Sequence, residues 1–249
     1  MTLEHIKKVF KPKNILGIFF TLIPILEFWA EGYKLAYAKI LSQGSFELPN
    51  WKDFKTLFKI GFFARVVQLC FLSVPFLLIL WLYTKSKFVA AQMQNLAFVN
   101  SQTFLLHLYS IRQVALFLVF VLAIVCFFMP AFVINYARTQ NLKQAFSKNI
   151  FRKIFTKHHI LGWLLSSAVS IACLILLLLL FMQVTSFFAN KIETYSPFLT
   201  LVVILISGVI LWYPSFLYWA ILGNAWYKIE KDLEEKRSLE SLGVSQEIY

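Results

Sequence analysis

The chain has 249 residues, of which 59% are hydrophobic, 18% aromatic and only 14% charged, a balance that excludes an ordinary soluble globular domain. A net charge of +12 would point to nucleic acid in a soluble protein. Here the Lys and Arg flank apolar runs, and no basic stretch is interleaved with base-stacking aromatics, so the expected partner is a bilayer with anionic head groups and not nucleic acid.

The chain opens on "MTLEHIKKVFKPK", a basic stretch leading into an apolar one. No small-residue cleavage site precedes Gly32, and the stretch "PILEFWAEGY" carries two acids and a Trp, so the segment reads as retained and not as a signal peptide. Residues 15–30 are short for a span, contain Pro24 and hold Glu27 near their end. They either cross the membrane as a fifth span or dip in and return as a re-entrant hairpin broken at Pro24. Four later runs, residues 60–83, 114–137, 160–189 and 198–226, each exceed the roughly 20 helical residues that cross a ~30 Å hydrocarbon core. Pro75, Pro130 and Pro214 place a kink in three of them. Residues 85–113 are too polar to span and read as an outer interfacial helix.

The expected fold is therefore an all-α polytopic transmembrane bundle. It has four full spans, an N-terminal re-entrant or fifth span, and cytoplasmic amphipathic helices. Residues 1–230 form one membrane domain, and residues 231–249 form a charged cytoplasmic tail. A weak internal repeat relates residues 14–83 to 114–189, because Tyr37-Ala38-Lys39 and Tyr136-Ala137-Arg138 each precede a polar turn and then spaced aromatics with interleaved cations.

Charge sets the direction of the spans, since short loops rich in Lys and Arg stay in the cytoplasm. The connection between the second and third long runs holds six basic residues, the stretch before the first holds five and the tail holds four. The remaining two connections hold only Lys85, Lys87, Arg112 and Lys191. Fifteen against four places the first set and the C-terminus inside the cell. Lys7, Lys8, Lys11 and Lys13 draw the N-terminus to the same side, which favours the hairpin. The location implied is the cell membrane, with several passes.

The stretch "GSFELPNWKDF" reads as a helix start. Pro49 ends what precedes, Asn50 is a good N-cap and Asp53 falls in the first turn. Trp51, Phe54, Leu57, Phe58, Gly61 and Phe62 then recur at helical spacing between Lys52, Lys55 and Lys59. An interfacial amphipathic helix that turns into the first span is expected, with its aromatics toward the membrane or bundle and its lysines toward water or head groups.

These residues resemble a family of prokaryotic membrane proteins known as domain of unknown function 4013. The resemblance rests on Gly32, Tyr33 and Lys39, then Gly44, Leu48, Pro49, Trp51, Asp53 and Phe54, then Leu57, Phe58 and Gly61. The ending "YWAILGNAWY" resembles the family's C-terminal spacing through Tyr218, Gly223 and Tyr227. Ala36 stands where the family often has an arginine, which weakens the argument for a shared anion site. The resemblance implies a membrane location and fold and supplies no activity.

No chemistry is legible. Cys70, Cys126 and Cys173 lie in apolar runs without ligand spacing. His5, His107, His158 and His159 form no metal motif. No enzyme, metal or cofactor is expected. The ionisable groups inside apolar sequence are Glu27 and Arg65, costly there unless paired or facing water, and they read as an ion pair or the lining of a polar pocket. The function expected is a non-enzymatic module organising lipid or a partner protein, with a homo-oligomer as one form of partnership. The alternative is a small transporter or channel subunit with a cavity near Glu27 and Arg65.

Overall fold

A computed structural model describes residues 7, 9–94, 101–189 and 192–241. The described residues form helices and connecting turns, and four of the helices are long and apolar enough to cross a membrane, as in a multi-pass membrane protein. After a short 3-10 turn, Pro12–Asn14, come α1 (Ile15–Leu22), α2 (Glu27–Ser42), α3 (Phe54–Gln94) and α4 (Ser101–Thr139). The short α5 (Leu142–Ala145) and α6 (Asn149–Ile154) follow, and then α7 (Lys157–Ala189) and α8 (Ile192–Ser241).

Several boundaries differ from the sequence expectation. The break expected at Pro24 is present, with Ile23 extended at φ −109° and ψ 116°, as a residue before proline prefers, but the second helix, α2, runs well past residue 30. Asn50 does not cap the next helix. Its Oδ1 accepts from the Lys52 backbone N–H at 3.0 Å, closing a local turn, and α3 starts at Phe54 and continues into the first span with no intervening bend between separate helices. Lys52 and its neighbour Trp51 therefore lie on the connection. The second basic stretch is two short helices, with Asn141 capping α5 through Lys143 N–H at 2.9 Å. Residues 85–94 and 101–113, expected as an outer helix, continue α3 and α4, while residues 95–100 between them lie outside the described residues. Likewise α8 passes residue 230 unbroken, and the tail beyond residue 241 lies outside the described residues.

The chain divides into two compact units, Met1–Arg65 with Ile134–Tyr249, and Val66–Val133. In the second unit Phe71 packs on Phe132, with centroids 5.0 Å apart. Leu69, Phe76, Leu77, Phe117, Val119 and Phe120 are exposed on it, a surface suited to lipid.

The first unit contains the core. Gly17 on α1 lies against Trp212, while Gly208 lies against Ile18 and Leu22, so α1 runs opposite to α8. Tyr33 and Tyr37 meet Phe216, Ala38 meets Gly223 and Gly44 meets Tyr227, so α2 runs with α8. Thus α1 and α2 form a helical hairpin laid along α8, turned at Pro24. Val9, Ile18, Tyr33, Tyr37, Leu57, Trp212 and Phe216 are buried together where these elements meet. The hairpin ends in a Schellman motif: Gly44 at φ 79° donates to Leu41 O at 3.0 Å, and Ser45 N–H donates to Ile40 O at 3.2 Å.

Candidate functional site

Glu27, Glu31 and Lys34 recur on one side of α2 at spacings of four and three. Glu27 forms an ion pair with Arg65 of α3. Arg65 Nη2 also stands 3.9 Å from Glu31 Oε2, and Glu31 in turn holds Lys34 Nζ at 2.6 Å. Lys34 donates to Ser215 Oγ on α8 at 2.8 Å and sits 5.6 Å from the centre of a Trp212 ring. A polar chain with two carboxylates and two cations therefore links α3, α2 and α8. Its two ends differ in exposure. The Glu31 and Lys34 side chains are 3% and 4% exposed, against 38% and 35% for Glu27 and Arg65. The sequence does not set the inner pair apart, because Glu31 and Lys34 follow the apolar run of residues 15–30 and look like its polar flank.

The residues that carry the resemblance do structural work around this chain. Gly32 and Gly61 face each other where α2 crosses α3. A Cβ on Gly32 would lie 1.8 Å from Leu57 O, and one on Gly61 would lie 1.8 Å from Phe28 O, so only glycine lets the two backbones touch here. That contact carries α3 past α2 and sets Arg65 beside Glu27. Tyr33 is fully buried, donates to Asn14 Oδ1 at 2.8 Å and stacks on Trp51 at 3.9 Å. Trp51 Nε1 donates to Lys13 O at 3.0 Å, and Leu48 packs on the same core.

The remaining motif residues occupy surface and junction positions. The Lys39 carbonyl helps close the end of α2 by accepting from Gln43 N–H, and Pro49 is half-buried. Asp53 is exposed and its carbonyl receives Leu57 N–H at 3.0 Å. Phe54 is 46% exposed, and its carbonyl accepts from Trp29 Nε1 at 2.9 Å. On α8, a Cβ on Gly223 would lie 2.5 Å from Ala38 O, Tyr227 flanks Gly44, and Tyr218 meets Trp219 edge to face at 5.4 Å.

A second charged cluster lies where α4, α6 and α8 meet. The Glu230 carboxylate is shared by Arg138 and by Lys153, the latter at 2.5 Å. Both cations also stand over the Trp226 ring, at 5.8 Å and 5.5 Å from its centre. Next to them His158 Nε2 is 2.9 Å from Asp232 Oδ2. The charge pattern alone places these basic residues on a cytoplasmic surface, and no local signal pairs residues 77 and 92 positions apart. Among the described residues no group of three or more His, Cys, Asp or Glu is placed to hold a metal ion.

The sequence profile of the family described as a protein of unknown function, DUF4013, matches residues 15–182, and the chain belongs to that family. The match takes in the Gly32–Gly61 crossing and the first three spans; Tyr218, Gly223 and Tyr227 lie beyond it. No curated protein and no solved structure matches the chain.

Proposed function

We propose that the protein is a non-enzymatic membrane module that gathers anionic lipid, or a membrane partner, around the cytoplasmic ends of its helices. The observation that carries this reading is the pairing of exposed aromatics with exposed cations on the connections of the first unit. Phe54, Phe146, Phe151 and Phe155 are 46%, 44%, 47% and 64% exposed, and Lys52, Lys55, Lys143, Lys148 and Arg152 are exposed beside them. Aromatic rings settle at the head-group level, and each cation near an anionic surface adds roughly 1 kcal/mol of attraction. Lys13 and Trp51 are joined by a hydrogen bond, which puts the N-terminal basic stretch beside the same connection and favours α1–α2 as a re-entrant hairpin. On α7, Leu161, Leu164, Leu165, Ile171, Ile175 and Leu179 are exposed and offer lipid or a second copy an apolar face.

The test is lipid composition around the protein extracted with its native annulus by a membrane-solubilising polymer. Enrichment of anionic lipid over the bulk membrane, reduced when Lys52, Lys55, Lys143 and Lys148 become Gln, is expected. A bulk-like annulus in the parent protein would defeat the proposal.

One observation favours a second reading, a small transporter or channel subunit. Glu31 is a buried second acid within 3.9 Å of Arg65, and buried carboxylates in membrane domains often mark ion or proton paths. Ion or proton flux into proteoliposomes that disappears with Glu31→Gln would establish it, whereas sealed vesicles without flux would remove it.

A further inference from the structure

We infer that the cavity between α6 and α8 is a binding site for a phosphate-bearing anion. It has a volume of about 230 Å³ and is lined by Asn149, Arg152, Lys153, Leu233, Lys236 and Arg237. Four of the six are cations. This is below the roughly 300–1,000 Å³ of a pocket for a drug-sized ligand, a size suited to one phosphate group with a small substituent.

The charges explain why an anion belongs there. Lys153 directs its ammonium to Glu230 at 2.5 Å. Arg152, Lys236 and Arg237 have no ion-pair partner among the described residues. The acids nearest in sequence on α8 are engaged elsewhere or off the wall: Asp232 holds His158 and Glu235 holds Lys231, while Glu234 is not among the lining residues. Leu233, Lys236 and Arg237 fall at i, i+3 and i+4, so the helix itself turns both cations to the cavity. Two guanidiniums supply the planar, bidentate donors that match phosphate oxygens, and Asn149 adds an uncharged amide donor. Phe151 and Phe155, exposed on either side of Arg152 in sequence, would bring the opening to the head-group layer. This ligand chemistry belongs to one cavity and holds whether or not the protein gathers lipid at large.

The ligand could be the head group of a phospholipid or a free phosphate, and two probes separate them. The full chain, purified in nonionic detergent and stripped of lipid, is titrated with inorganic phosphate and with dihexanoyl phosphatidic acid, using dihexanoyl phosphatidylcholine as the neutral-head-group control. Saturable binding is expected for at least one of the two anionic probes. Tighter binding of the phosphatidic acid assigns the site to lipid, and equal binding assigns it to the phosphate group alone. Arg152→Gln with Arg237→Gln should weaken binding by about tenfold or more, as expected from losing charge-assisted contacts. Asn149→Asp keeps both guanidiniums, places a carboxylate in the cavity and should weaken binding similarly, which covers the case of a misfolded double variant. Lys228→Gln, which removes an exposed cation of α8 that does not line the cavity, should leave affinity unchanged. The inference is overturned if neither anionic probe binds, if both cavity variants bind like the parent, or if the Lys228 control loses as much as they do.

Discussion

The indole of Trp51 lies flat on the phenol ring of Tyr33, with centroids 3.9 Å apart and planes 7° from parallel. The same indole donates to Lys13 O at 3.0 Å, so one side chain ties the start of the chain, the α1–α2 hairpin and the connection into α3. Trp51→Ala should cost about 2–3 kcal/mol, less than a fully buried aromatic because the residue is half-buried. Trp51→Phe keeps a stackable ring and should lose about 1 kcal/mol with the hydrogen bond. Denaturant unfolding in detergent separates the two, and an Ala variant as stable as the Phe variant would show that the stack contributes nothing.

The contact of Gly32 with Gly61 is backbone on backbone. Gly32→Ala and Gly61→Ala each put a methyl 1.8 Å from a carbonyl oxygen, which only helix displacement relieves, so losses of about 2–3 kcal/mol or failure to assemble are expected. Gly208→Ala meets the Ile18 and Leu22 side chains at 2.7 and 3.1 Å. Side chains can turn aside, so about 1 kcal/mol is expected there. Equal thermal stability across the three variants would contradict this account of the crossing.

Ion pairing along α2 predicts an order of effects. Glu31→Gln or Lys34→Met leaves a partner charge buried and should cost about 3–5 kcal/mol. Arg65→Met leaves two carboxylates without their shared guanidinium, and at about one-third exposure it should cost about 1–2 kcal/mol. Glu27→Gln should cost under about 1 kcal/mol, because Glu31 remains within 3.9 Å of Arg65. Changing Glu27 and Arg65 together should recover part of the Arg65 loss. Additive losses in that double-mutant cycle would mean that the two side chains do not act on each other.

Glu230 answers two cations, while Asp232 answers one histidine from a position 56% exposed. Glu230→Gln should therefore destabilise by about 2–3 kcal/mol and Asp232→Asn by less than about 1 kcal/mol. Raising salt should narrow the gap only slightly, since the Glu230 side chain is 20% exposed and poorly screened. Thermal unfolding at two salt concentrations checks both statements.

The proposed orientation places Ser45 and Ser147 in the cytoplasm. Single cysteines there, in a background lacking Cys70, Cys126 and Cys173, should resist a membrane-impermeant thiol reagent in intact cells and react once the membrane is permeabilised. Labelling of either from outside would reverse the topology.

Local chemistry made some of this readable in one dimension. Four apolar runs longer than a bilayer is thick can only be satisfied as helices in lipid, because every backbone polar group must bond within its own segment. A proline in a short apolar run predicts a break, and Ile23 before Pro24 is extended. Glu27 and Arg65 stood out because each interrupts apolar sequence. Asn50 misleads because α3 begins only at Phe54, so its bond from Lys52 N–H closes a turn ahead of the helix, and an Asx turn and a helix cap draw on the same residue type.

What the sequence determined alone was composition turned into partition: which segments lie in lipid and which carry the charge, since these depend on the side chains of one stretch at a time. Only the tertiary structure decided the partners. The Gly32–Gly61 crossing, the burial of Glu31 with Lys34, the sharing of Glu230 by Arg138 and Lys153, and the convergence of Arg152 with Arg237 join residues 3 to 92 positions apart. In each, what a residue does is set by the atoms packed against it and the water they exclude. A linear pattern of hydropathy and charge does not contain that information.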